Sequence, residues 1–193
     1  MRTHRTSRAT LLTACAAGLL ATQAHAADSY QLDPSHTTVL FRATHFDIGV
    51  VYGMFRNVTG KFSLDEKKPA ESSVTIEVDA DSVYTNEKKR DTHLKSPDFL
   101  NVKVNPKITF TSTKVKKAGK GYAVTGDLVL AGVTKSVTVK LTKLGQGKDP
   151  WGKERLAFEG TFSVKLSDFK VKGVPKVVGD TITLTLATEG IKQ

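Results

Sequence analysis

Ser136-Val137-Thr138-Val139-Lys140-Leu141-Thr142 carries an apolar side chain at every second position, with a hydroxyl or an amine between them. Side chains of an extended strand point alternately to the two faces of a sheet, so this stretch reads as a strand with one dry and one wet face. The same period runs through Ser73-Val74-Thr75-Ile76-Glu77-Val78-Asp79 and Thr181-Ile182-Thr183-Leu184-Thr185-Leu186. It recurs in Val39-Phe41-Ala43, Phe62-Leu64, Ile108-Phe110, Tyr122-Val124 continuing through Gly126 to Leu128-Leu130, and Leu156-Phe158-Gly160-Phe162-Val164. Eight strands result.

Between them lie short connections rich in Gly, Pro or Lys: Asp65 to Pro69, Lys117 to Gly121, Ala131-Gly132, and Gly145 to Gly152. Such connections favour antiparallel neighbours. With almost no helix available to cover their dry faces, the strands must close into a barrel or pack against a second sheet. The expected fold is therefore all-β, an eight-stranded antiparallel barrel. One stretch breaks the period, from Thr85 to Leu100. There Asn86 is placed to cap a helix, Glu87 falls in its first turn, and Ser96-Pro97 stops it. A short helix of about two to three turns is expected, lying across one barrel mouth.

Residues 1–26 differ in kind. Arg2, Arg5 and Arg8 precede the apolar run Ala9 to Ala21, and Ala24-His25-Ala26 supplies small residues for a cleavage site. This is the pattern of an export signal cut after Ala26, and its apolar run is shorter than the roughly 20 residues of a membrane span. Leu12-Thr13-Ala14-Cys15 resembles a lipoprotein box, a rival processing route that ranks second because the apolar stretch before Cys15 is short. Cleavage after Ala26 leaves 167 residues as one domain, with 26 Lys and Arg against 19 Asp and Glu. Cys15 is the sole cysteine and would leave with the signal, so neither a disulfide nor a thiolate site is expected. His36, His45 and His93 show no helical metal-ligand spacing, and no nucleophile elbow, phosphate loop or carboxylate pair is present. The lysines are spread over many outer strand faces and are not interleaved with aromatics, which argues against nucleic acid.

A barrel of about eight strands is either filled by its own side chains or holds one small ligand. Ala43, Gly126 and Gly160 on the inward phase would leave volume, or would let strands bend at barrel corners. That phase nominates Val39, Phe41, Phe110, Leu128, Phe158 and Phe162 as lining. Parity places His45 inward near a strand end, where it would meet a ligand head group or bond a backbone carbonyl. On the expected helix Arg90, His93 and Leu94 share a face by their spacing, able to aim two cations and an apolar contact together, or to form a solvated face with one buried leucine.

The order of motifs resembles the YceI-like family. Thr85-Asn86-Glu87-Lys88-Lys89-Arg90-Asp91-Thr92-His93-Leu94-Lys95-Ser96-Pro97-Asp98-Phe99-Leu100 is similar to its N-x-x-R-D-x-H-L-x-S-x-D-F signature. Tyr30-Gln31-Leu32-Asp33, Pro106-Lys107-Ile108-Thr109-Phe110, Gly126-Asp127-Leu128, Gly132-Val133-Thr134-Lys135, Asp149-Pro150-Trp151-Gly152 and Thr188-Glu189-Gly190 stand in the family's order. Near the end, Lys170-Val171-Lys172 stands where many relatives carry glycine or asparagine. The resemblance implies a lipocalin-like barrel in the periplasm, holding a polyisoprenoid or similar long-chain lipid without cofactor or catalysis. It implies no stable membrane insertion and is compatible with a homodimer. The inward strand phase and the helical face make Val39, Phe41, His45, Arg90, His93, Leu94, Phe110, Leu128, Phe158 and Phe162 the expected ligand-binding residues, with the three polar ones meeting a phosphate or quinone head if the ligand carries one. At an on-the-order-of 20 Å barrel height, a long isoprenoid would fold back or protrude.

Overall fold

Period-two alternation becomes extended backbone throughout the computed structural model, which describes residues 27–173 and 176–193. The export-signal reading of residues 1–26 lies outside them. The strand segments are β1 (Asp28–Leu32), β2 (Thr38–His45), β3 (Gly49–Phe55), β4 (Val58–Leu64), β5 (Ser73–Asp79), β6 (Val83–Tyr84), β7 (Lys107–Ala118), β8 (Gly121–Leu130), β9 (Val133–Lys148), β10 (Glu154–Lys165) and β11 (Thr181–Lys192). One helix, α1 (Lys88–Leu94), interrupts them.

Three pairs of these segments are single strands with a local break. β1 and β2 both run antiparallel to β11, with Leu32 opposite Gly190 and Thr38 opposite Ala187, and a 3-10 turn at Pro34–His36 between them. In the same way β3 continues into β4, and β5 continues through the 3-10 turn Ala80–Ser82 into β6. Eight continuous strands remain, each paired to its neighbour in sequence, and β1 and β2 close the ring on β11. The expected eight-stranded antiparallel barrel is what forms. Closure matters because it leaves few unpaired backbone groups at sheet edges.

The two ends of the barrel differ. At one end Tyr30 stacks on Phe62 with ring centres 4.7 Å apart, and Phe158 meets both Phe62 and Tyr122 edge-on. Together with Leu156 they form a buried plug. Over this end Arg155 binds three carboxylates: Nη1 donates to Asp33 at 2.7 Å and Glu189 at 3.1 Å, and Nε to Asp149 at 2.9 Å. Asp33 also accepts from Ser35 and pairs with His36, and these donors hold its carboxyl well below the ordinary carboxylate range. The clamp joins the β1–β2 break, the β9–β10 turn and β11.

Glycines settle a question that alternation left open. A Cβ on Gly126 would overlap the Thr111 carbonyl and the Phe110 ring, and one on Gly160 would overlap the Lys140 carbonyl. These positions are occupied by neighbouring backbone and rings, so the two glycines serve strand approach and curvature rather than empty volume. Phe41 likewise lies over its cross-strand partner Gly53, and Phe62 over Gly190.

Two local expectations are corrected. The turn expected from Gly145 to Gly152 shrinks to Asp149–Lys153: Gly145 and Gly147 pair with Ala157 and Arg155, so β9 runs on to Lys148. Their Cβ positions are open, so glycine there costs strand propensity without preventing pairing. Asp149 builds the turn itself by accepting from the amides of Trp151 and Lys153. In α1 the capping residue is Glu87, whose carboxylate accepts from the Lys89 amide, whereas Asn86 adopts a left-handed φ of 63° and accepts from the Tyr84 hydroxyl.

The β8–β9 turn holds Ala131 at φ 49° and Gly132 at φ 77°. Two consecutive left-handed residues make a two-residue hairpin of the type that favours Asn-Gly, and alanine pays a Cβ penalty there. Ala131→Asn is expected to stabilise the fold by ~0.5–1 kcal/mol, seen as a melting temperature about 2–3 °C higher. No change, or a loss, would show that the turn is not strained.

Candidate functional site

Above the plug the barrel is hollow. The cavity measures about 180 Å³, an order of magnitude more than the ~10–15 Å³ one water needs, and its wall exposes no polar surface. Its depth is walled by Val74, Ile76, Val124 and Leu141, all four shared with a smaller apolar recess of about 40 Å³ against the plug. An apolar void of this size has no groups to hold ordered water, so it suits a hydrocarbon occupant.

The mouth is covered by two segments. Leu94, Phe99 and Leu100 reach in from α1 and the turn after it, and Leu166, Val171 and Val178 from the connection before β11. The Gly173 amide donates to the Asp98 carbonyl at 2.9 Å, latching one segment to the other. Lys170 adopts a left-handed φ of 56°, the conformation for which glycine or asparagine is suited, and this turns Val171 into the wall.

Of the residues expected to bind ligand, Val39, Phe41, Leu94, Phe110, Leu128 and Phe162 line the main cavity. Phe158 sits deeper, in the plug and the small recess. His45, Arg90 and His93 stand apart from the wall. His45 is exposed on the rim, its ring 4.2 Å from that of Phe46, and its backbone bridges to Val178. The strand ends at His45, so parity no longer aims its side chain into the lumen. Arg90 donates from Nε to the Thr85 hydroxyl and from Nη2 to the Thr85 carbonyl, each at 2.8 Å. Asp91 accepts from the amide and hydroxyl of the same buried Thr85. His93 lies edge-on to Phe99 with Nε2 3.2 Å from Asp98. The shared helical face thus divides: Leu94 turns to the cavity, while the two polar residues tie α1 to the end of β6 and to its own following turn. The most specific stretch of the sequence builds the cover and leaves the cavity wall apolar.

Alternation did not reveal Phe99, Leu100, Val171 or Val178, because they sit on irregular backbone. A trace existed in Phe99-Leu100, an apolar pair closing an otherwise polar stretch. Among the described residues no group of three or more His, Cys, Asp or Glu converges to hold a metal ion. No helix among them is long and apolar enough to cross a membrane.

Residues 30–190 match the family model described as the YceI-like domain. The chain belongs to the YceI-like family. A UPF0312 protein of Pseudomonas paraeruginosa is 45% identical over 89% of this chain and 90% of its own. Among solved structures, Burkholderia cenocepacia BcnA superposes with a TM-score of 0.74 at 23% identity, covering 82% of this chain and 98% of that one. A polyisoprenoid binding domain from Saccharophagus degradans gives 0.63 at 14% identity, with 85% and 98% coverage. At these identities the structural matches establish the YceI-like barrel alone.

Proposed function

We propose that this YceI-like protein is an exported, non-enzymatic carrier that holds the chain of a polyisoprenoid or similar long amphiphile in its barrel. The observation that carries the reading is the 180 Å³ cavity with no polar surface on its wall. Each methylene moved from water into such a space gains roughly 0.8 kcal/mol, so a long chain insoluble in water has a strong reason to enter. The Saccharophagus degradans neighbour, described as a polyisoprenoid binding domain, supports the ligand class. A binding role is supported by the placement of His45, Arg90 and His93 outside the wall, where they offer no proton donor or acceptor to a chain in the lumen. The periplasm as location rests on the signal-like residues 1–26.

A long chain also needs more room than the closed cavity has. Leu94, Phe99 and Leu100 would swing aside with α1, which requires release of the Thr85 bonds, the Lys95–Asp81 ion pair, the Gly173 latch and the packing of Phe99. Organic extraction of the natively purified protein followed by mass spectrometry is expected to release a long-chain amphiphile in stoichiometric amount. A folded protein that yields no lipid, and takes none up from a detergent-solubilised prenyl alcohol, would overturn the reading.

A further inference from the structure

The β2–β3 hairpin ends in a tip that is unusually apolar for a loop facing water. Ile48 is 91% exposed and Phe46 51%, and Val50 and Tyr52 continue the same outer face at 43% and 63%. Phe46 and Asp47 both have left-handed φ values, 53° and 55°, and a bulky aromatic in that conformation is strained. The tip is also part of the cavity's rim. The Phe46 amide donates to the Val177 carbonyl at 2.9 Å, His45 bridges to Val178, and both Val178 and Ala43 line the cavity. An apolar outer patch, with the exposed Asp47 within it and the exposed His45 beside it, therefore adjoins the rim of an apolar interior.

We propose that the protein docks peripherally on a bilayer through this hairpin tip, setting the cavity mouth against the membrane so that lipid enters without crossing water. The proposal rests on the carrier reading for its purpose. Ile48 to Tyr52 spans about 13 Å of strand, so a tip buried to the ~5–10 Å depth of interfacial segments leaves Tyr52 and its cross-strand partner Arg42 at headgroup level. An amphipathic ring and a guanidinium suit that level. The described rim segments (45–49, 85–106, 166–173 and 176–180) carry seven exposed Lys or Arg against five exposed Asp or Glu, which favours a surface with anionic headgroups.

The test is co-sedimentation of the purified protein with vesicles of mixed zwitterionic and anionic phospholipid, beside vesicles of zwitterionic lipid alone. Binding to the mixed vesicles is expected, weaker to the zwitterionic ones, and reduced at least about tenfold in the double variant Phe46→Gly, Ile48→Ser. Glycine relieves the left-handed strain at position 46, so that variant is expected to melt no lower than the wild type. A merely structural role for the tip would give the opposite melting result. Wild-type protein that ignores both vesicle types, or a variant that binds as well as wild type, overturns the proposal. So does light scattering that shows a dimer broken by the variant without vesicle binding, since a second copy would then cover the patch. Wild-type protein that carries extractable lipid but fails to bind vesicles refutes docking alone, whereas vesicle binding without lipid refutes the carrier alone.

Discussion

Leu184→Asp is expected to empty the cavity of lipid in a barrel that still folds. Leu184 is half-buried on β11, opposite Phe41, and forms part of a wall that exposes no polar surface. A carboxylate there loses its hydration and gains no donor, at a cost of about 3 kcal/mol or more. Burial raises the pKa of the new acid above its unfolded value, so the sign of the pH dependence follows. At low pH both states are protonated and the penalty is small; it grows as pH rises through the ordinary carboxylate range. Extraction and mass spectrometry at about pH 8 should show lipid reduced at least about tenfold relative to wild type. Thermal melts should show the variant's deficit shrinking on acidification. Leu184→Met conserves volume and polarity and should retain both lipid and stability. A folded Leu184→Asp protein with its full complement of lipid would mean that the ligand lies elsewhere.

Arg155→Met should destabilise the opposite end and leave lipid content unchanged. Removing the guanidinium leaves Asp33, Asp149 and Glu189 gathered around an uncharged side chain, with His36 and the Ser35 amide and hydroxyl remaining on Asp33. Breaking such a set is costly because the remaining charges repel while still partly desolvated, and a melting temperature lower by on the order of 5–10 °C is expected near neutral pH. In the wild type, Asp33 and Asp149 are both held below the ordinary carboxylate range by hydrogen bonds, Asp33 first by Ser35 and then by Arg155, Asp149 first by Arg155. Their stabilisation is complete above that range and is lost as pH falls through it and below. The gap between wild type and variant should therefore begin to narrow as pH falls through the ordinary carboxylate range and close only well below it. A gap independent of pH would show that Arg155 contributes through packing of its aliphatic stem instead. Lipid loss in this variant would contradict the placement of the cavity at the far end from the clamp.

The strands were legible in runs such as Ser136 to Thr142 because each is dry on one face and wet on the other, a period-two signal that a helix does not produce. Five of the lining positions followed from the same phase, from Val39 and Phe41 through Phe162. Parity failed at His45, where the strand ends and the side chain is released to the rim. It also ranked Phe158 with the cavity, because alternation says which face a residue occupies and nothing of its depth along the barrel. Arg90 and His93 read as head-group ligands from charge and spacing; in the fold their hydrogen bonds go to Thr85 and Asp98. The wall contributed by Val171 and Val178 had no periodic signal to follow, since irregular backbone has no repeating face.

What the amino-acid order determined alone is a set of eight antiparallel strands, dry on one face, that must close on themselves or pack against a second sheet; closure was decided by β1 and β2 pairing with β11. Whether the lumen is hollow was decided only in three dimensions. Phe41 and Phe110 fold over Gly53 and Gly126, and Tyr30, Phe62, Tyr122 and Phe158 gather at one end. Packing among residues far apart in the chain thus leaves the space above the plug open, and that information resides in contacts rather than in any local pattern.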